Sequence, residues 1–294
     1  RNLKNPKQIN DLCQSLRDSV GWNAPVMIDQ EGGRVARLGA PHWFEFTPAL
    51  QQSENVYAER AFWLRGRLIA ENLRLSGIDV NCAPLGDIAQ PDTHHILRNR
   101  CYGTDKSQVI INARALNSGL RHGGISGVLK HIPGHGRAKL DSHLALPKVL
   151  LDQAVLEDTD FSVFKELKDM DMGMTAHLIF DQLDPKNPAT QSPTVINMIR
   201  NEIGFTGLLI TDDISMNALE GNLKTRALKA LGAGCDIVLH CNGVLQEMKL
   251  LHQNSTELAG NSLDRAKLSI NNRPTPVSID ILQLKEEFES LMNE

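Results

Sequence analysis

At 294 residues, with 41% hydrophobic and 22% charged residues, the chain has ordinary globular composition and the length to bury a sizeable core. Its formal net charge of -4 argues against nucleic acid or an anionic membrane surface as the main partner, since both select basic faces. Five cysteines, an odd number without CxxC spacing, argue against a disulfide framework or a structural zinc site and favour a reducing compartment. No run of 18 apolar residues could cross a membrane. The opening RNLKNPKQIN has neither a signal-peptide h-region nor an initiating Met, so the natural N-terminus is expected further upstream.

In chain order, the first predicted strand is 25–29 (PVMID), followed by the loop Asp29-Gln30-Glu31-Gly32-Gly33-Arg34-Val35-Ala36-Arg37. The paired glycines could approach a phosphate, but no Walker A pattern is present. Carboxylate and arginine at one strand mouth suit a hydroxyl-rich ligand; a surface salt bridge would use the same residues. Residues 59–76 are predicted helical, 78–83 (IDVNCA) a strand, 108–122 helical and 126–131 (SGVLKH) a strand.

Residues 130–143 follow, KHIPGHGRAKLDSH, holding three of the ten histidines. Zinc could be drawn through His131, His135, Asp141 and His143. Pro133 and Gly134, however, prevent the first two rings from sharing a helical face as they do in HExxH. A solvated loop is the plain alternative. A third reading is an acid/base dyad: in an extended Asp141-Ser142-His143 the carboxylate and imidazole point the same way, and the carboxylate would hold the ring's tautomer.

A predicted helix at 152–168 and a strand at 173–177 (GMTAH) come next. The Pro-rich 184–193 reads as a loop before a helix starting near Pro193. The strand 207–212 (GLLITD) ends in Thr211-Asp212-Asp213, where one aspartate could be a nucleophile, base or ligand and the other a helix cap, Asp213 being the better cap candidate. Residues 223–233 are predicted helical and 236–241 (DIVLHC) a strand. Beyond about 258 there is no strand signal, only a packing helix near 279–292.

Strands alternating with amphipathic stretches predict βαβ units and a parallel sheet. Several strands end in polar, chemically able residues: Asp29, His131, His177 and Asp212. Catalytic groups at strand C-termini mark a (β/α)8 TIM-type barrel, and no GxGxxG supports a doubly wound sheet. The predicted fold is therefore α/β, a single barrel domain over residues 1–294. Six strands are identified; one more is expected upstream of the first residue, and the eighth has no assigned place.

The segments IDQEGGRVARL, NCAPLGDI, NRCYGTD, KHIPGHG-x4-DSH, GMTAHL and GFTGLLITDDISM together resemble the single-domain bacterial β-N-acetylhexosaminidases of glycoside hydrolase family 3. They stand in family order over roughly residues 25–245, and KHxPGHG followed by DSH is the specific part. The resemblance implies a retaining double displacement, with Asp212 as nucleophile and His143, paired with Asp141, as acid/base. It implies that Asp29, Arg37, Arg100, Lys130 and His131 hold the terminal sugar, and that neither cofactor nor metal is needed. It further implies a cytoplasmic enzyme acting on a small molecule, GlcNAc-1,6-anhydroMurNAc or its peptide derivatives, in peptidoglycan recycling. Transfer to phosphate, or a non-catalytic sugar-binding barrel, are the alternatives. The chain departs from the family at Ile132, where Phe is usual, and at Leu85-Gly86, where Val-Leu is usual; Gly86 is expected to alter the pocket wall.

Overall fold

The structure is a computed structural model that describes residues 3–140 and 146–293. Its elements run α1 (Pro6–Val20), β1 (Met27–Ile28), α2 (Ala49–Ser53), α3 (Ala58–Leu75), β2 (Val80–Asn81), α4 (His95–Arg98), α5 (Lys106–His122), β3 (Ser126–Gly127), β4 (Leu129–Ile132) and β5 (Lys148–Val149). Then come α6 (Gln153–Asp158), α7 (Asp160–Glu166), β6 (Met172–Thr175), β7 (Ile179–Phe180), α8 (Pro193–Met198), β8 (Leu208–Asp213), α9 (Leu223–Ala233), β9 (Ile237–Leu239), α10 (Leu245–Asn254), α11 (Gly260–Asn271) and α12 (Ile281–Asn293). The chain forms two compact units.

The first unit comprises the chain up to Leu85, Asn99–Val128 and the chain from Ile270. Its sheet is parallel in the order β1-β2-β3, with Met27 opposite Val80 and Val80 opposite Ser126. Helix α1 starts at an Asn5 cap whose side chain accepts from the Gln8 amide, has Pro6 in its first turn, and ends at Gly21 in the left-handed region (φ 73°). Helices α3 and α5 pack with almost no gap. A Cβ on Gly66 would lie 2.2 Å from the Leu116 carbonyl oxygen, and one on Gly119 would lie 2.1 Å from that of Trp63. Around this crossing Leu64, Leu68, Leu116 and Leu120 are buried.

The second unit comprises Gly86–Arg98 and the described part of Leu129–Ser269. Its main sheet is parallel in the order β4-β6-β8-β9, with Leu129 opposite Gly173, Met172 opposite Leu208 and Ile210 opposite Ile237. A separate parallel pair joins β5 to β7. The nearly continuous apolar run LLI of β8 is what a parallel strand buried on both faces requires. Ile132, in the position where the family has Phe, packs with Phe205 over Gly173: a Cβ there would lie 2.5 Å from Ile132 and 2.8 Å from Phe205. At the start of β9, buried Asp236 accepts hydrogen bonds from Arg200, Arg265, Ser262 and the Leu209 amide, fastening β8, β9 and α11 together.

The α/β character and parallel pairing agree with the sequence reading. Three details differ. The strand predicted over 126–131 is two strands, β3 and β4, which belong to different units. The helix predicted over 152–168 is broken at Thr159, whose ψ of -91° is not helical. The pair β5 and β7 escaped the reading because each is only two residues long.

Candidate active site

In the second unit, β8 delivers Thr211, Asp212 and Asp213 at its C-terminal end. The two aspartates have separate duties. Asp213 accepts from the Ser215 amide at 2.9 Å, the Ser215 hydroxyl at 2.7 Å and the Cys241 amide at 3.2 Å, so it builds the turn after the strand. Asp212 accepts from the Asp213 amide at 2.7 Å. Burial would raise the Asp212 carboxyl, but His177, His131, that amide and Lys130 together outweigh it and hold the pKa at about 2. Asp212 is therefore an ionised carboxylate at neutral pH, fit for a nucleophile and unfit for a proton donor.

Two of the neighbouring imidazoles, His131 and His177, are fixed by hydrogen bonds. Asp87, fully buried, bonds the His131 Nδ1 at 2.7 Å through one oxygen. Its other oxygen accepts from the His135 amide at 2.6 Å. Burial alone would raise the Asp87 carboxyl, but His131 and His135 pull it below its ordinary value. With Nδ1–H committed to Asp87, a neutral His131 keeps Nε2 as an acceptor. The His131 and His135 rings meet edge to face with centroids 5.4 Å apart. Burial and then His131 take the His135 pKa down to about 4. His177 donates from Nε2 to the Asp213 carbonyl at 3.1 Å and pairs through Nδ1 with the Thr190 hydroxyl at 2.8 Å. Burial lowers its pKa, with Asp212 opposing. Lys130 is buried, its carbonyl accepts from the Gly86 amide at 2.7 Å, and the Lys130–His131 peptide is cis.

The first unit holds the other expected sugar contacts. Asp29, after β1, pairs with Arg37 at 3.2 Å, and both side chains are part-exposed. The salt bridge considered for this loop is thus present. Gln30 shapes the loop, accepting from the Arg37 and Leu38 amides at 2.7 and 3.0 Å and donating to the Leu38 carbonyl at 2.8 Å. Arg100 is gripped by the buried Glu31 carboxylate through two bonds of 2.9 and 2.8 Å.

Five of the eight expected residues thus fall into two local groups: Asp212 with Lys130 and His131, and Asp29 with Arg37. Arg100 stands with Glu31. Asp141 and His143 lie outside the described residues. Glu31, Asp87 and His135 were not among the expected site residues. The signal for Asp87 was a lone carboxylate within the apolar NCAPLGDI, and for Glu31 an acid directly before paired glycines. The expectation for Gly86 needs correcting: a Cβ there would meet the Phe164 ring at 2.7 Å, so Gly86 faces the core, not a pocket wall.

Residues 1–270 match the glycosyl hydrolase family 3 N-terminal domain. A β-hexosaminidase of Methylobacillus flagellatus is 31% identical over 275 residues, covering 90% of this chain and 78% of the relative. Among solved structures, a family 3 β-N-acetylglucosaminidase from Paenibacillus sp. FPU-7 superposes with TM-score 0.85 at 26% identity; the match covers 99% of this chain but only 61% of that one. NagZ from Neisseria gonorrhoeae, in complex with N-trifluoroacetyl-D-glucosamine, superposes with TM-score 0.83 at 28% identity over 100% of this chain and 87% of that one. With the family motifs in order along the chain and the relatives' fold reproduced over its length, the chain belongs to glycosyl hydrolase family 3, among the NagZ-like β-N-acetylhexosaminidases.

Proposed function

We propose that the protein is a retaining exo-β-N-acetylglucosaminidase on a (β/α)8 barrel. It removes terminal β-linked GlcNAc from GlcNAc-1,6-anhydroMurNAc and its peptide derivatives, in the cytoplasm, during peptidoglycan recycling. The observation that carries the reading is Asp212: a buried carboxylate at the end of β8, held ionised down to about pH 2 by the cations and imidazoles around it. A nucleophile that must attack an anomeric carbon needs that state. The parallel ladders and the likeness to the β-hexosaminidases support the barrel and the substrate class.

In the first step an Asp212 oxygen bonds to the anomeric carbon as the glycosidic C–O bond breaks, and His143, held by Asp141, protonates the departing oxygen. In the second, His143 takes a proton from water, the water oxygen bonds to the anomeric carbon, and Asp212 leaves as carboxylate. Two carboxyl groups about 5–5.5 Å apart do this in most retaining glycosidases; here an imidazole takes one place. Lys130 and His131, together with Asp29, Arg37 and Arg100, hold the terminal sugar. Asp87 keeps the His131 ring oriented, and no cofactor takes part.

The test is turnover of aryl β-N-acetylglucosaminides of graded leaving-group pKa, with and without phosphate. Wild type should release N-acetylglucosamine in both buffers. Asp212→Ala should lose about four orders of magnitude in kcat while remaining folded. His143→Ala should be severely slowed with poor leaving groups and much less with good ones, because a good leaving group needs no proton. A folded Asp212→Ala variant with a tenth of wild-type kcat sinks the mechanism. A phosphate-dependent sugar 1-phosphate would make the enzyme a phosphorylase instead.

A further inference from the structure

Helix α3 carries a charge in an unexpected place. Arg65, midway along it, has no exposed surface. Its guanidinium donates to oxygens that bear no formal charge: Nε and Nη2 to the Glu31 carbonyl at 3.0 and 2.7 Å, and Nη1 to the Thr47 carbonyl at 2.9 Å and the Gln52 side-chain oxygen at 2.8 Å. Burial pulls its pKa down to about 10, against the opposing pull of Tyr102 and Glu31, so it stays charged at neutral pH. Burying such a charge is costly, and an apolar side chain of similar volume would fill the space at less cost.

Two of the four bonds meet at one turn. Gly32 has φ of 91°, and a Cβ on it would lie 2.4 Å from the Arg65 Nη2, so the guanidinium closes directly beneath the backbone that follows Glu31. Two hydrogen bonds fix the Glu31 carbonyl from below. The carboxylate of the same residue fixes Arg100 with two more. Glu31 thus joins the two arginines through different atoms: its backbone carbonyl to Arg65 and its carboxylate to Arg100. Each link has two bonds, so orientation as well as distance is transmitted.

We propose that Arg65 is a positioning residue for sugar recognition, which sets the place of Arg100 through Glu31. The proposal rests on the reading above in which Arg100 contacts the terminal sugar. It predicts coupling, which a residue that merely stabilises the fold would not show. In the full chain, Arg65→Lys keeps the charge but cannot serve all of these acceptors at once. It is expected to raise KM for an aryl β-N-acetylglucosaminide about tenfold with a smaller change in kcat, and to weaken calorimetric binding of N-acetylglucosamine equally. Arg100→Met should do at least as much, and Arg65→Lys in the Arg100→Met background should then add little. Arg65→Met repeats the cycle without the charge. Losses that multiply in the double variant overturn the proposal, as does failure of both Arg65 variants to fold, which would assign the residue to the fold. A wild type that neither turns over these glycosides nor binds N-acetylglucosamine defeats the functional reading itself, an outcome separate from multiplying losses in an active enzyme.

Discussion

His135 shows how one residue's surroundings become a property of the whole protein. Its depressed pKa, about 4 against an ordinary 6.5, means that the folded chain binds fewer protons than the unfolded chain between those values. Stability therefore rises with pH across that window, is fully present above 6.5 and is lost as pH falls toward 4. His177 is lowered for the same first reason and acts in the same direction. Asp212 and Asp87 do not confuse the window: their pKa values are also depressed, but from 3.8, so their contribution is lost only at lower pH. The melting temperature should thus fall between pH 7 and pH 4, and His135→Gln, which cannot titrate, should fall less steeply. Identical slopes would show that His135 is not the source. Residues of this kind divide by how local their signal is. Asp212 was legible because it closes an apolar strand run. Arg65 was not, because in sequence it is one more charge on an amphipathic helix, and only the fold brings the Glu31 carbonyl, 34 residues away, to meet it.

Elements were legible where their periodicity is long. Helix α9 occupies the residues expected of it, capped by Asn222 and ended by Gly234. Helices α10 and α11 lie outside the sequence expectations, which beyond about residue 258 include only a packing helix near 279–292. Helix α1 is not among the expected elements, although Asn5, Pro6 and Gly21 mark both of its ends. Packing between elements is what a single sequence hides best, and Gly86 is the case in point. Phe164 of α7 occupies the volume that a side chain at 86 would need, approaching to 2.7 Å. Gly86→Leu, which restores the residue usual in the family, should therefore destabilise the protein by about 1–3 kcal/mol through overpacking. Phe164→Ala alone should also destabilise, by leaving a cavity at a fully buried position. The two changes together should cost much less than their sum, because each relieves the other's defect. Chemical denaturation of the four proteins measures this, and additive costs would mean that Gly86 and Phe164 do not compete for one space.

The whole molecule bears on whether metal is involved. Three histidines within fourteen residues invite a zinc site, and a structural or catalytic zinc needs three or four ligands with free lone pairs in tetrahedral array. Among the described residues His177 has both ring nitrogens engaged, and His131 has one. His131 has Nδ1 on Asp87, and His177 has Nδ1 on Thr190 and Nε2 on the Asp213 carbonyl. A metal on His177 would have to break one of these bonds, and a metal on the remaining His131 Nε2 would lack a second imidazole from His177. Among the same residues no group of three His, Cys, Asp or Glu side chains is spaced to hold a metal, and no helix is long and apolar enough to cross a membrane. The charges around Asp212 are supplied instead by Lys130 and the histidines, which already hold its carboxyl at about 2. Prolonged dialysis of the purified enzyme against a strong chelator should therefore leave both kcat/KM and the melting temperature unchanged, and elemental analysis should find no stoichiometric metal. Loss of either property, restored by added zinc, would mean that His131 and His135 take a metal ion, and the acid/base role given to His143 would have to be reassigned.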